Sequence, residues 1–169
     1  MDATALRAMQ APLKERYKGD PKSAYITLKA KGTLDDAHIA CKVETGRALA
    51  VAGLHPATGG SGLELCSGDM LLEALVACAG VTLKAVATAL DVPLKSGKVS
   101  AEGDLDFRGT LGVAKDAPVG FAAIRLRFDV ETDAPQDKLD ALLKLTERYC
   151  VVYQTLRSGP AIEVKLNRA

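Results

Sequence analysis

Two of the four cysteines stand where a thiol can do more than fill space. Cys78 lies among small residues, Ala77 before it and Ala79-Gly80 after it, and such neighbours let a substrate or another backbone come close to the sulfur. Cys150 ends a stretch in which Leu139, Leu142, Leu143 and Thr146 share one helical face, so the period turns it toward a core. Two thiols on the buried sides of two helices are either inert filler or a redox pair, and the residues alone leave both readings open. For chemistry, Cys78 must become a thiolate. It sits about three turns into its helix, too far along for that helix's own dipole to help much, so a cation has to come from elsewhere.

The other candidates carry less. Cys41 alternates with Ile39 and Val43 and reads as a small inward hydrophobe, while Cys66, just ahead of a helix start, reads as a small loop residue. His38 and His55 are the only histidines and no Cys-x-x-Cys pair occurs, so no zinc set is expected. The segment Gly53–Gly62 lacks the Lys-Ser/Thr that a phosphate loop requires. It reads instead as a loop able to wall or cover a site, with His55 in it. No metal and no cofactor is expected.

The elements that must hold these thiols can be read from periodicity. From Cys66 to Leu90 the chain reads as one long helix: Ser67 is placed to cap it, Asp69 falls in the first turn, and Glu73 is the only charge between Leu71 and Leu83. Such a helix is apolar around most of its circumference and should be enclosed by protein. Glu73 and Lys84 should keep its apolar run short of the roughly 20 residues of a bilayer span. Around it the period is two. Ile26, Leu28 and Ala30, then Ile39, Cys41 and Val43, mark two strands joined across Leu34–Ala37, with residues 47 to 52 as a candidate third. Val99, Ala101, Leu105 and Phe107 mark another strand, as do Ile124, Leu126, Phe128 and Val130, whose alternate charges Arg125, Arg127, Asp129 and Glu131 read as a solvent face. Asp133-Ala134-Pro135 starts the helix that leads to Cys150, and Ile162, Val164 and Leu166 alternate with Glu163 and Lys165 as a closing strand. At the other end, Leu6, Met9, Leu13 and Tyr17 mark a helical arm that Pro12 should bend or break. Antiparallel hairpins with inserted helices make an α+β fold.

The 169 residues suit one domain. With 22 basic and 21 acidic residues, a net charge of +1 and no long block of one sign, nucleic acid and anionic membrane find no handle. Nothing near the N-terminus has the pattern of a signal peptide, and the cysteines are too few and scattered for a secreted disulfide scaffold. A cytoplasmic setting with reduced thiols is the expectation.

The stretch Asp69-Met70-Leu71-Leu72-Glu73-Ala74-Leu75-Val76-Ala77-Cys78, followed by Ala79-Gly80-Val81-Thr82-Leu83, resembles the central-helix motif of the OsmC/Ohr family of thiol-dependent peroxidases. Tyr149-Cys150-Val151-Val152-Tyr153-Gln154-Thr155-Leu156 is similar to that family's second-cysteine motif, Cys-Pro-Val-x-x-Thr-Leu, with Val151 where proline is usual. The resemblance spans about residues 24 to 168. It implies an OsmC-like domain over residues 24–169 behind an N-terminal arm of residues 1–23, with antiparallel sheets around a buried central helix. It further implies an intertwined homodimer with active sites at the subunit interface. In that family's chemistry, Cys78 attacks an organic hydroperoxide and becomes a sulfenic acid, Cys150 condenses with it to a disulfide, and an external dithiol completes the cycle. Apolar walls would favour alkyl hydroperoxides over hydrogen peroxide.

One departure bears on activation. The family pairs an arginine beside the thiolate with a glutamate ten positions before the cysteine, and here that position is Gly68. Asp69 and Glu73 are the nearby acids that can substitute, and Arg47 is the arginine of choice. The missing acid keeps an alternative in view, a non-peroxidatic OsmC-like module that binds a small apolar or sulfur-containing ligand. A purely structural domain is a third reading.

Overall fold

In chain order the elements are α1 (Ala3–Gly19), β1 (Tyr25–Leu34), β2 (Cys41–Val43), β3 (Ala52–Gly53), β4 (Leu65–Cys66), α2 (Ser67–Ala89), β5 (Ser96–Asp106), α3 (Phe107–Thr110), β6 (Phe121–Glu131), α4 (Gln136–Tyr149) and α5 (Val151–Ser158). The structure is a computed structural model and describes residues 3–34, 41–43, 52–63, 65–166 and 168. Arg47 and His38 lie outside these residues, as do most of the candidate third strand and the connection between the first two. The inward turn expected of Cys41 lies outside the described side chains.

The main sheet runs β2-β1-β5-β6 and is antiparallel throughout. Its register sets Ala101 between Ala30 and Leu126, and Glu102 between Lys29 and Arg125, so each strand sends alternate residues to opposite faces. On the outer face Arg125 pairs with Asp104 at 2.6 Å and Glu102 at 3.5 Å, while Thr27 donates to Asp104 at 2.8 Å. These contacts hold the Asp104 carboxyl down to about 2, Arg125 contributing most. The alternate charges of β6 form a solvent face, as their pattern predicts.

The inner face carries α2. Leu72, Leu75, Val76, Ala79 and Leu83 are buried against Val99 and Ala101 of β5, with Leu142 and Cys150 closing the same core. Each of these leucines and valines contributes about 1.5–3 kcal/mol by leaving water. The helix stops where Asp91 takes a left-handed φ of 53°, two residues before Pro93. Cys66, rather than Ser67, stands at its N-cap, and no side chain caps that end. By length and composition alone α2 is apolar enough to cross a membrane, contrary to the expectation that Glu73 and Lys84 would rule this out. Its packing on the sheet is that of a core helix.

Its enclosure is one-sided. Leu71 and Val81 are each 38% exposed, and with Ala74, Cys78 and Ala85 they recur at spacings of three and four, a single apolar stripe. Among the described residues, a sheet on one flank and helices on another leave Leu71, Ala74 and Val81 exposed and Cys78 and Ala85 half-buried.

Four further expectations need correction. α1 runs unbroken through Pro12: the proline is on the exposed side, where a lost backbone bond is replaced by water. Phe107 leaves the strand and opens α3, because Asp106 accepts the Arg108 N–H and caps a turn. Leu143 is exposed and drops out of the α4 stripe, leaving Leu142 and Thr146 fully buried. The chain from Ala161 to Leu166 forms no strand. Ile162, Val164 and Leu166 are 83%, 86% and 99% exposed, since the segment has the alternation of a strand but pairs with no strand among the described residues.

Candidate active site

The site begins at a break between two helices. Tyr149-Cys150-Val151-Val152-Tyr153 is a run of poor helix formers, and at Cys150 the backbone swings to an extended φ of −72° and ψ of 106°. α4 ends there and α5 starts anew. The Cys150 N–H still donates to the Thr146 carbonyl at 2.9 Å, and the Cys150 carbonyl accepts from Gln154 N–H at 2.9 Å. The Gln154 side chain donates to the Glu147 carbonyl at 2.7 Å, satisfying one acceptor that the end of α4 orphans. A sequence reading that carried one helix face straight through to Cys150 misses this second N-terminus.

Cys78 of α2 lies against it. Burial of the half-buried Cys78 raises its thiol pKa, but the N–H groups of Val152 and Val151, the Cys150 thiol and the Thr82 hydroxyl act the other way and together prevail. Its pKa is therefore lowered. The N–H groups make soft contacts of the kind sulfur accepts, and at a helix start they bring the positive end of the α5 dipole with them. Thr82 has one proton, and its main bond is to the Cys78 carbonyl at 2.8 Å, so its hold on the sulfur is partial.

Cys150 has the opposite bias. It is 1% exposed, and burial first, with the neighbouring Cys78 sulfur adding to it, pushes its thiol up to about 11. The two thiols act on each other, and their pKa values move in opposite directions.

Asp69 and Glu73 lie elsewhere on α2. At about 1.5 Å of rise and 100° of turn per residue, Asp69 is about 13 Å down the axis from Cys78 and on the opposite side, and Glu73 about 7 Å down. Burial raises both carboxyls, and each is acted on by a neighbour: Asp69 by His55, Glu73 by Asp69. Burial lowers the His55 pKa, which Asp69 opposes. Its Nδ1 accepts from Ala57 N–H at 3.0 Å and its ring stacks on Phe107 with centroids 4.9 Å apart. Tyr17, fully buried, donates to the Ala57 carbonyl at 2.6 Å. At Gly60 an added Cβ would sit 1.6 Å from the Leu54 carbonyl oxygen. The loop between β3 and β4 is thus pinned to α1 and α3 and folded tightly on itself.

No group of three or more histidine, cysteine or acidic side chains converges as a metal site among the described residues. Residues 59–165 match the family model described as OsmC-like protein. The chain belongs to the OsmC-like family. Its fold is similar to the crystal structure of an OsmC-like hydroperoxide resistance protein from Jannaschia sp. CCS1, with 16% identity and a TM-score of 0.62 over 86% of this chain and 95% of that one. No curated protein matches.

Within this OsmC-like chain the two cysteine motifs noted in the sequence come together, with Thr82 joining them. Thr82 sits one turn beyond Cys78, and the i to i+4 spacing was a signal available for it. The Val151 and Val152 donors leave no mark that a side-chain motif can carry. The site does not open into the groove of about 820 Å³ between α4, α5 and the inner face of β6. Cys78 is not among its lining residues.

Proposed function

We propose that the protein is a thiol-dependent peroxidase that reduces organic hydroperoxides, with Cys78 as nucleophile and Cys150 as resolving thiol. The observation that carries this reading is the pair of apposed sulfurs with opposite proton bias. The Cys78 thiolate attacks the terminal peroxide oxygen: a sulfur–oxygen bond forms, the oxygen–oxygen bond breaks, and the departing alkoxide takes up a proton to leave as the alcohol. Cys78 is then a sulfenic acid, two electrons oxidised. The Cys150 sulfur displaces its hydroxyl, which leaves as water with the Cys150 proton, and a disulfide forms. An external dithiol reduces it. The hydroperoxide resistance protein of similar fold is consistent with such a substrate.

The reading includes a homodimer formed by the domain of residues 24–169, with the arm of residues 1–23 packed on it. Three features support it: the apolar stripe of α2 that runs through Cys78, the half-buried inner face of β6 at the edge of the sheet, and the unpaired alternating segment from Ile162 to Leu166. A second copy that covers the stripe would shield both thiols. Arg47 is proposed to add its charge to the Cys78 site in that dimer, with Asp69 or Glu73 as its partner acid. A cytoplasmic location, where dithiols are available, suits the cycle.

The test is consumption of cumene hydroperoxide and of hydrogen peroxide with a dithiol as reductant. Cys78→Ser is expected to lower kcat/KM for the alkyl hydroperoxide by about 10³-fold or more, and hydrogen peroxide should be the poorer substrate. Turnover that survives this substitution, or none in the wild type, would instead favour the ligand-binding alternative. Light scattering that gives a monomer mass would remove the dimer from the account.

A further inference from the structure

The break between α4 and α5 has to be held at one residue, and the residues that form it do not choose which. Val151, Val152 and Tyr153 are weak helix formers. They lower helix stability along the whole run without placing the break at Cys150, and no proline stands there to fix it. In an unbroken helix the Glu147 carbonyl would accept from the N–H of Val151, four residues on. The extended backbone at Cys150 removes that spacing, and the carbonyl accepts the Gln154 side-chain amide at 2.7 Å instead. The main-chain N–H of the same glutamine donates to the Cys150 carbonyl at 2.9 Å. One residue thus grips the chain on both sides of the break. The bond to Glu147 also takes up the acceptor on which a straight helix depends, so it favours the bent form directly over its simplest competitor.

We propose that Gln154 is a positioning residue for Cys150: its side chain holds the break that keeps the Cys150 thiol beside Cys78. Cys150 is buried in the core with Leu142, and Cys78 packs against that core. On the α4 side the Cys150 N–H is tied to the Thr146 carbonyl at 2.9 Å, and Thr146 is itself 1% exposed, its hydroxyl donating to the Leu142 carbonyl at 2.8 Å. That side of the break is fixed by burial, while the α5 side, with Val151 exposed and Gln154 half-buried, relies on the glutamine strap. Without it the Glu147 carbonyl turns to water or to the Val151 N–H, and the second choice takes Cys150 out of its extended conformation. Two thiols form a disulfide in proportion to the effective concentration that the fold gives them, so a looser break weakens the link. The proposal deepens the peroxidase reading by adding a residue that serves the resolving thiol, and the strap acts on any disulfide between the two cysteines.

The experiment equilibrates the fully reduced wild type, Gln154→Leu and Gln154→Lys with mixtures of reduced and oxidised glutathione at one fixed pH. The fraction of disulfide joining Cys78 to Cys150 is measured after an acid quench by peptide mass spectrometry, with thermal unfolding of the reduced proteins alongside. One glutathione disulfide gives two glutathione thiols as the two protein thiols lose two electrons and pass on their two protons. Gln154→Leu has no donor and should lower the equilibrium constant for the disulfide about three- to tenfold. Gln154→Lys can donate its ammonium to the same carbonyl and should recover most of the loss. A residue that only stabilised the fold would lower the unfolding temperature and leave the equilibrium constant where it was. If Gln154→Leu does not fold, Gln154→Met, an unbranched side chain of similar length without the donor, makes the same comparison. A wild-type equilibrium constant in a folded variant lacking the donor overturns the proposal. So does a Gln154→Lys no better than Gln154→Leu, and so does a wild type in which the two cysteines do not pair. Because glutathione rather than a peroxide is the oxidant, a weakened disulfide in a protein without peroxidase turnover would retain the role of Gln154 and discard the peroxidase reading. Turnover with no effect of Gln154 on the disulfide would do the reverse.

Discussion

At the scale of residues the site is a pair of like groups made unlike by their surroundings. Cys78 is half-buried at a helix N-terminus and Cys150 is enclosed, and the two thiols move in opposite directions from the ordinary value. A charge-assisted hydrogen bond contributes about 1.5–3 kcal/mol, so two N–H donors are enough to outweigh the partial burial of one sulfur. The sign of the pH dependence follows. Cys78 loses its proton below its ordinary value and Cys150 only near 11, so iodoacetamide at pH 7 is expected to label Cys78 ahead of Cys150. Labelling of Cys78 should rise with pH and level off before Cys150 begins to react. Equal labelling of both at pH 7, read by peptide mapping, would contradict the asymmetry. Both cysteines were legible in the sequence, one from its small neighbours and one from a helical stripe. What activates Cys78 was not, because backbone N–H groups are common to nearly all residues and take a direction only once the chain has folded.

At the scale of elements, strands and long helices were legible where the period was sustained. β5, β6, α2 and α4 lie where alternation or a helical stripe put them. The helices departed from their patterns at two places. The break at Cys150 arises from a run of weak helix formers inside an otherwise continuous stripe. α1 accepts Pro12 because its other face is fixed: Tyr17 is fully buried and bonds the Ala57 carbonyl at 2.6 Å. That bond also ties α1 to the loop ahead of α2, which carries His55 against Phe107. Tyr17→Phe keeps the ring and leaves a buried carbonyl without its donor. It is expected to cost about 1–2 kcal/mol in urea unfolding, or about 3–6 °C in Tm, and an unchanged midpoint would show that the hydroxyl contributes nothing.

At the scale of the whole molecule, the closing strand is the instructive failure. Ile162, Val164 and Leu166 have a strand's alternation, but a strand needs an edge to join, and none of the described strands pairs with them. The same incompleteness marks α2, whose composition called for enclosure on most sides and which keeps an open stripe through Cys78. Sequence patterns record what is buried in the final assembly, so surfaces left bare in one chain are where a second copy is proposed to sit. The central claim nonetheless concerns one pair of atoms within a chain. Its most direct test is to treat the fully reduced wild-type protein with one equivalent of cumene hydroperoxide and map the products by non-reducing peptide mass spectrometry. The account predicts one equivalent of alcohol and a single disulfide joining Cys78 to Cys150. A Cys78 that stays reduced, pairs with Cys66, or is oxidised further while Cys150 remains a free thiol would contradict it.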